Sequence, residues 1–379
     1  MMQFWESIDY SKARKVLVIP NITNSSNIEK DSFVDVIHNH IKGLDKYGEY
    51  FWHIVMPTGK VSKKLNLPNV KQHQADIPGD MMNQRAYPPD KLIAILRDVD
   101  YDVIYSHLPD WPQVGRYKNS IDTKIIGYCH WWEMKSCNGV DRRPGKAKWL
   151  WLPIELLGVS QMDTCYLNTQ DQKNRVLVEA KETFNDEFVD KLDNILNVWN
   201  LGVQSEKIVD TIKDTKENII VFNHRAAVYK GYPKFMELME EYREKRQDFK
   251  VWIPQLNGTP PHSWIDNSKV PKHEYYARLQ NCKVGVQMKQ TNYGWSVSGT
   301  DCMMNGTPMI WHDSECYHEI DPNGMFFKFK KDFFSMLDTL LDNDEVRKEK
   351  DTLAIARAKE LSKNEGEMLG NLHKKLYIC

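Results

Sequence analysis

Nowhere in this chain do apolar residues run for the roughly 20 positions that a bilayer-spanning helix needs, and no membrane partner is expected. The first apolar run, Val-Leu-Val-Ile-Pro at 16–20, is far too short for a secretory leader. Cysteine is scarce and unpatterned: there are seven, an odd number, with no Cys-x-x-Cys spacing. That usage fits reduced thiols in a cytoplasm and excludes a disulfide framework. Cys129 and Cys137 lie near His130 but lack the fourth ligand and the spacing of a zinc site, so no metal is expected. Charge of neither sign prevails, because 51 Lys+Arg meet 52 Asp+Glu and leave a net charge of −1. A generally basic surface is thereby excluded, and any site for a polyanion must be a local patch. There is no internal repeat and no low-complexity tract.

What is present has the rhythm of an α/β protein. At 379 residues the chain has room for two domains of ordinary size. Short apolar runs at 15–20, 51–56, 101–105, 124–129, 162–168 and 194–199 read as buried strands. Asp31 opens a helical pattern carrying Phe33, Val36, Ile37 and Ile41 on one side, and Thr169 is placed to cap another helix. Residues 57–90, rich in Pro, Lys, Asn and Gln, read as a long loop. After a charged linker the rhythm restarts, with strands at 218–222, 249–253, 283–287 and 308–311 and helices between and after them. The expected fold is α/β, with two doubly wound, Rossmann-like domains facing a central cleft. The expected divisions are a first domain at 1–204, a linker at 205–217, a second domain at 218–360, and a last helix at 361–379.

The most informative stretch is 292–311, Asn-Tyr-Gly-Trp-Ser-Val-Ser-Gly-Thr-Asp-Cys-Met-Met-Asn-Gly-Thr-Pro-Met-Ile-Trp. It passes from a turn with small residues into a helical pattern, stops at Gly306-Thr307-Pro308 and enters a strand. Gly294 and Gly299 allow close approaches that a Cβ would block. The N–H groups at a helix start can face an anion. Asp301 is a carboxylate able to accept hydrogen bonds from neutral hydroxyls such as those of a ribose. Together these point to a phosphorylated, hydroxyl-rich ligand. A plain helix start with a Gly-Pro stop is the competing reading of the same residues.

The second half is similar to the nucleotide-binding domain of the retaining GT-B glycosyltransferases, the class that includes sucrose and glycogen synthases. The strand at 218–222 is followed by Asn-His-Arg225 and then Lys230-Gly231. The segment 271–282 resembles the family's short helix before the next strand. Asp301-Cys-Met-Met-Asn-Gly-Thr-Pro-Met-Ile310 resembles the family's Glu-Ala-Met-Ala-Cys-Gly-Thr-Pro-Val-Ile. The resemblance implies that Arg225 and Lys230 grip a donor diphosphate and that Asp301 holds the ribose. Gly294, Trp295 and Ser296 would present backbone N–H groups to the donor. Tyr293 stands where the family has a Glu that often holds sugar hydroxyls. The resemblance further implies that the last helix, 361–379, packs back on the first domain, and that transfer proceeds with retention from a nucleotide-diphosphate sugar, a UDP-sugar being favoured, with no other cofactor and no metal.

On the first-domain side the resemblance places His130 beside the reacting sugar, with Glu133 as a base or acceptor-orienting group. The loop containing Asn24 would touch donor phosphate or acceptor. Trp131 and Trp132 are followed by Arg142-Arg143-Pro-Gly-Lys-Ala-Lys-Trp149, a mixture of cations and aromatics suited to phosphate contacts and stacking. That segment suggests DNA carrying hydroxymethylated bases as the acceptor, as with some bacteriophage GT-B enzymes. A polysaccharide groove or a solvated loop over a core tryptophan fits the same residues. A carbohydrate or small-molecule acceptor, or a binding protein without catalysis, are the alternatives.

Overall fold

A computed structural model describes residues 13–22, 28–76, 93–95, 97, 99–109, 123–129, 132, 148–290 and 294–377. Its first sheet contains β1 (Arg14–Ile19), β2 (Tyr50–Pro57), β3 (Val70–Ala75), β4 (Val103–Ser106), β5 (Lys124–Tyr128), β6 (Thr164–Leu167) and β7 (Leu196–Val198). They lie in the order β3-β2-β1-β4-β5-β6-β7, and every neighbouring pair is parallel. The second sheet contains β8 (Glu217–Val221), β9 (Lys250–Trp252), β10 (Ile265–Asp266), β11 (Cys282–Gln287), β12 (Met309–His312) and β13 (Met325–Phe327). Its order is β10-β9-β8-β11-β12-β13, again with parallel pairs throughout. In each sheet the chain winds to one edge, then returns to the centre and winds to the other. The direction reverses between β1 and β4 and between β8 and β11. Crevices open at the carboxyl ends of strands at such reversals.

Apolar alternation explains why these runs become central strands. Val16 and Val18 pack on one face of β1, Leu17 and Ile19 on the other, each face with its own core cluster. In β8, Ile220 joins one cluster while Ile219 and Val221 join the other. Each such side chain taken from water contributes about 1.5–3 kcal/mol, which favours covering both faces with helices.

Those helices are α1 (Ser32–Leu44), α2 (Lys148–Val159), α3 (Gln170–Lys181), α4 (Asp186–Ile195), α5 (Tyr232–Lys245), α6 (Lys272–Leu279), α7 (Val297–Met304), α8 (Glu315–Ile320), α9 (Lys330–Asp342) and α10 (Asp344–Tyr377). Asp31 caps α1 by accepting the Phe33 N–H at 2.8 Å. Thr169 caps α3 by accepting that of Gln172 at 3.0 Å.

The 34-residue α10 serves both sheets. Ala354 and Leu361 pack in a core cluster of the second sheet, whereas Leu369, Leu372 and Leu376 pack in one of the first. Two expectations need correction. The region read as a loop at 57–90 contains β3, a strand of Val-Lys-Gln-His-Gln-Ala at the sheet edge. The apolar run at 194–199 is not all strand, because α4 continues through Ile195 and β7 follows without a loop.

Candidate functional site

The loop leaving β8 carries Asn223, His224 and Arg225, and the loop leaving β11 carries Gln290. These are the two strands between which the second sheet reverses. Asn223 fixes the first loop: its Nδ2 donates to Tyr275 Oη of α6 and to the Ser298 carbonyl of α7, both at 2.8 Å. Tyr275 Oη in turn donates to Asp301 Oδ2 at 3.2 Å. One hydrogen-bonded chain thus runs from the end of β8 through α6 to the carboxylate on α7.

Asp301 is open to solvent over part of its surface, yet protein surrounds it. Burial raises its pKa from 3.8 to about 7, against the opposing pull of the Tyr275 hydrogen bond, Lys272 and Lys207. Lys207 belongs to a 3-10 turn, Ser205–Lys207. Lys272 also meets Asp35 of α1 at 3.5 Å, an ion pair between the two sheets' helices. Asp35 is further paired with Lys64 at 2.5 Å.

Arg225 is exposed, whereas Lys230 keeps part of its side-chain surface open while protein largely encloses its ammonium. Lys230 Nζ donates to Gln290 Oε1 at 2.7 Å. Burial, then the nearby Arg225 guanidinium, lowers the Lys230 pKa to about 8. Two cations with no compensating acid among the described residues favour an anion beside them. His224 is buried; burial and then Lys230 push its pKa down to about 3, so it is neutral at pH 7. Gly231 adopts φ +75°, and a Cβ there would lie 2.6 Å from Met288 Cβ and 3.0 Å from the Lys289 carbonyl oxygen. A glycine is therefore needed where the β8 loop presses against the β11 loop.

The start of α7 is built differently from what its glycines suggested. Ser296 Oγ donates to Gln287 Oε1 at 2.5 Å and accepts the Gly299 N–H at 3.1 Å. Its side chain is thus used internally as the helix cap. Gly299 serves packing rather than a ligand, because a Cβ there would overlap the Trp311 ring. The space beside Gly294 is open. The Trp295 ring packs in the core.

Four buried polar atoms that follow strands of the second sheet have no hydrogen-bond partner among the described residues: Asn223 Oδ1, His224 Nε2, Gln290 Nε2 and Trp295 Nε1. Each costs about 1–3 kcal/mol while unsatisfied, and a buried polar group without a partner in a folded protein calls for a reason.

The fold therefore brings Arg225, Lys230, Gly294, Trp295, Ser296 and Asp301 to the same end of the second sheet. Sequence reasoning missed Asn223, Tyr275, Lys207, Lys272 and Gln290. Tyr275 and Lys272 lay within the segment 271–282 that carried the resemblance, and Asn223 directly precedes His224-Arg225, but nothing in their spacing marked the contacts they make. Trp132, expected on an acceptor wall, is a core residue instead. It is 1% exposed, and its Nε1 donates to the Cys129 carbonyl at 2.9 Å. Asn24, His130, Trp131, Glu133, Arg142, Arg143 and Tyr293 lie outside the described residues. Among the described residues no group of three or more His, Cys, Asp or Glu is placed to hold a metal ion. No helix among them is long and apolar enough to cross a membrane.

No protein-family model matches the sequence, and no curated protein matches it. Solved structures do match the fold. Sucrose-phosphate synthase from Thermosynechococcus elongatus superposes with a TM-score of 0.71 at 10% identity, over 97% of this chain and 100% of that one. HepE from Anabaena, in complex with UDP and glucose, gives 0.65 at 10% identity, over 94% and 99%. A trehalose-6-phosphate protein from E. coli, bound with UDP-2-fluoro glucose, gives 0.65 at 10% identity, over 96% and 99%. Identity this low carries the fold alone, and the fold is the GT-B arrangement of two parallel-sheet α/β domains.

Proposed function

We propose that this protein is a glycosyltransferase that moves a sugar from a UDP-sugar to a hydroxyl acceptor with retention at the anomeric carbon. The observation that carries the reading is the crevice between the ends of β8 and β11. There two cations, Arg225 and Lys230, share one end of the sheet with a carboxylate held by Tyr275. A diphosphate between the cations and a ribose on Asp301 match that chemistry. The UDP and UDP-sugar ligands named for HepE and the E. coli protein give further support.

In this mechanism Arg225 and Lys230 stabilise the charge that grows on the departing diphosphate. Backbone N–H groups at 294–296 assist at the open start of α7. Asp301 orients the ribose and is itself oriented by Tyr275. The acceptor hydroxyl attacks from the face that the diphosphate leaves, so no protein nucleophile is used. His130 and Glu133 are assigned from the sequence to the sugar and acceptor, and Tyr293 to the donor side. The acceptor proposed is a hydroxymethylated base in DNA, met by Trp131, Arg142, Arg143 and the Asn24 loop. The compartment proposed is the cytoplasm, that of the host if the protein comes from a bacteriophage.

Thermal unfolding with UDP, GDP, ADP, TDP and CDP tests the donor. A ligand at 100 times its Kd adds about 2.7 kcal/mol, so UDP should raise Tm clearly. If none of the five shifts Tm at millimolar concentration, the donor reading fails. Release of UDP from UDP-glucose without acceptor separates an enzyme from a binding protein. Duplex DNA binding that weakens with salt by about 0.9 log unit per log unit for each phosphate neutralised, and less steeply in an Arg142→Ala/Arg143→Ala double variant, tests the acceptor. DNA binding absent at low salt moves the acceptor to a carbohydrate or small molecule.

A further inference from the structure

The partner of Lys230 is unusual in its neutrality. A largely buried ammonium is ordinarily matched by a carboxylate, since an unpaired buried charge is strongly unfavourable. Here the atom that accepts its hydrogen bond is the amide oxygen of Gln290, at 2.7 Å. Among the described residues the charged group that acts on it is Arg225, which has the same sign. Gln290 is itself 3% exposed, and its Nε2 has no partner among the described residues. Near the ammonium are the neutral His224, whose Nε2 has no partner among the described residues, and the Tyr229 ring at 5.4 Å.

From this geometry we propose that Gln290 is a positioning residue for the donor diphosphate: it aims Lys230 without neutralising it and keeps an amide N–H in reserve for a phosphate oxygen. An acid at 290 would satisfy Lys230 internally and repel the diphosphate. An apolar residue would leave the ammonium unaimed. Only a carboxamide of this length both holds the ammonium by its oxygen and offers a donor of its own. The proposal rests on the donor reading given above.

The test is calorimetric titration of UDP and of uridine into the full-length protein and its variants. The isosteric Gln290→Glu variant should weaken UDP by at least about tenfold, the scale of one charge-assisted contact. Its affinity for uridine should stay within about twofold of the wild type, and its Tm should be no lower, since a carboxylate now meets the ammonium. A structural role alone would not divide UDP from uridine in this way. Gln290→Met, which adds no charge, should weaken UDP by about three- to tenfold and covers the case in which the Glu variant fails to fold. Wild-type affinity for UDP in either folded variant overturns the proposal and leaves the donor site standing. If the wild-type protein itself binds no nucleoside diphosphate, the donor reading falls and the proposal with it.

Discussion

Lys230 and Asp301 show how a buried position turns an ordinary side chain into a titrating one near neutrality. Lys230 loses its proton at about pH 8, so UDP affinity should fall as the pH rises through that value. The break should vanish in Lys230→Met, as titration calorimetry between pH 6.5 and 9.5 would read. Removing either cation should cost more in turnover than in donor binding, because the diphosphate gains charge in the transition state. For Arg225→Ala and Lys230→Ala the expected loss in kcat/KM is about 2–4 kcal/mol; wild-type turnover in both would make them ordinary surface cations. The Asp301 pKa is shifted upward, opposite to that of an exposed carboxylate paired with a cation. Its folded pKa of about 7 lies above its ordinary 3.8, so the folded state binds more protons than the unfolded state between those values. Stability from this group is therefore fully present below about pH 4 and is lost as the pH rises through 7. Asp301→Asn should gain Tm relative to the wild type across that interval, and a difference that stays flat with pH would contradict the assignment.

Among the elements, what could be read from the sequence was whatever local chemistry dictates. Asp31 and Thr169 declare helix starts because their oxygens satisfy N–H groups within three residues. The strands of both sheet centres declare themselves because they are buried on both faces and therefore uniformly apolar. Strand β3 did not, since an edge strand with one pairing neighbour tolerates Lys71, Gln72, His73 and Gln74. The site divides along the same line. The cations and Asp301 lay in ordered motifs, whereas Tyr275 and Gln290 act through partners 26 and 60 residues away. Trp132 misled because a tryptophan beside a basic segment looks the same in sequence whether it faces a ligand or fills a core. Gly299 misled similarly: its position at a helix start suggested a ligand, but the space it leaves is filled by Trp311. Gly299→Ala should therefore destabilise the protein even though alanine is the better helix former by about 1 kcal/mol. Trp311 is fully buried and tied by Nε1 to Asp321 Oδ2 at 2.9 Å, so the ring has little freedom to retreat. Overpacking of this kind costs about 1–3 kcal/mol, and urea unfolding of the variant at or above wild-type stability would show that the ring does yield.

At the scale of the whole molecule, two glutamates join the sheets in different ways. Glu365, on α10, accepts from Trp199 Nε1 at 2.8 Å and lies 3.5 Å from His40 Nε2. Gly202 gives it room, since a Cβ there would overlap the Glu365 side chain. This contact follows β7 directly and is enclosed by aromatic rings, with His40 stacked on Trp199 at 4.8 Å. It resembles a pivot that stays closed. Glu319, on α8 beyond the second sheet, instead reaches the first turn of α3 and accepts the N–H groups of Gln170 and Asp171 at 2.7 and 2.8 Å. Arg357 of α10 steadies that end of α8 by donating to the carbonyls of Glu319 and Ile320. A carboxylate on two otherwise unsatisfied helix N–H groups is favourable in both hydrogen bonding and dipole, and here it ties together helices of different sheets. Glu319→Ala should therefore lower stability by about 1–2 kcal/mol, the scale of a lost helix cap, and free the sheets to separate about the Glu365 pivot. Small-angle scattering of the unliganded variant should give a larger radius of gyration than the wild type. Glu319→Gln, which keeps one acceptor oxygen, should fall between them. If the alanine variant matches the wild type in both Tm and radius, Glu319 is not what holds the cleft at this width, and the Asp35–Lys272 ion pair at 3.5 Å becomes the contact to remove next.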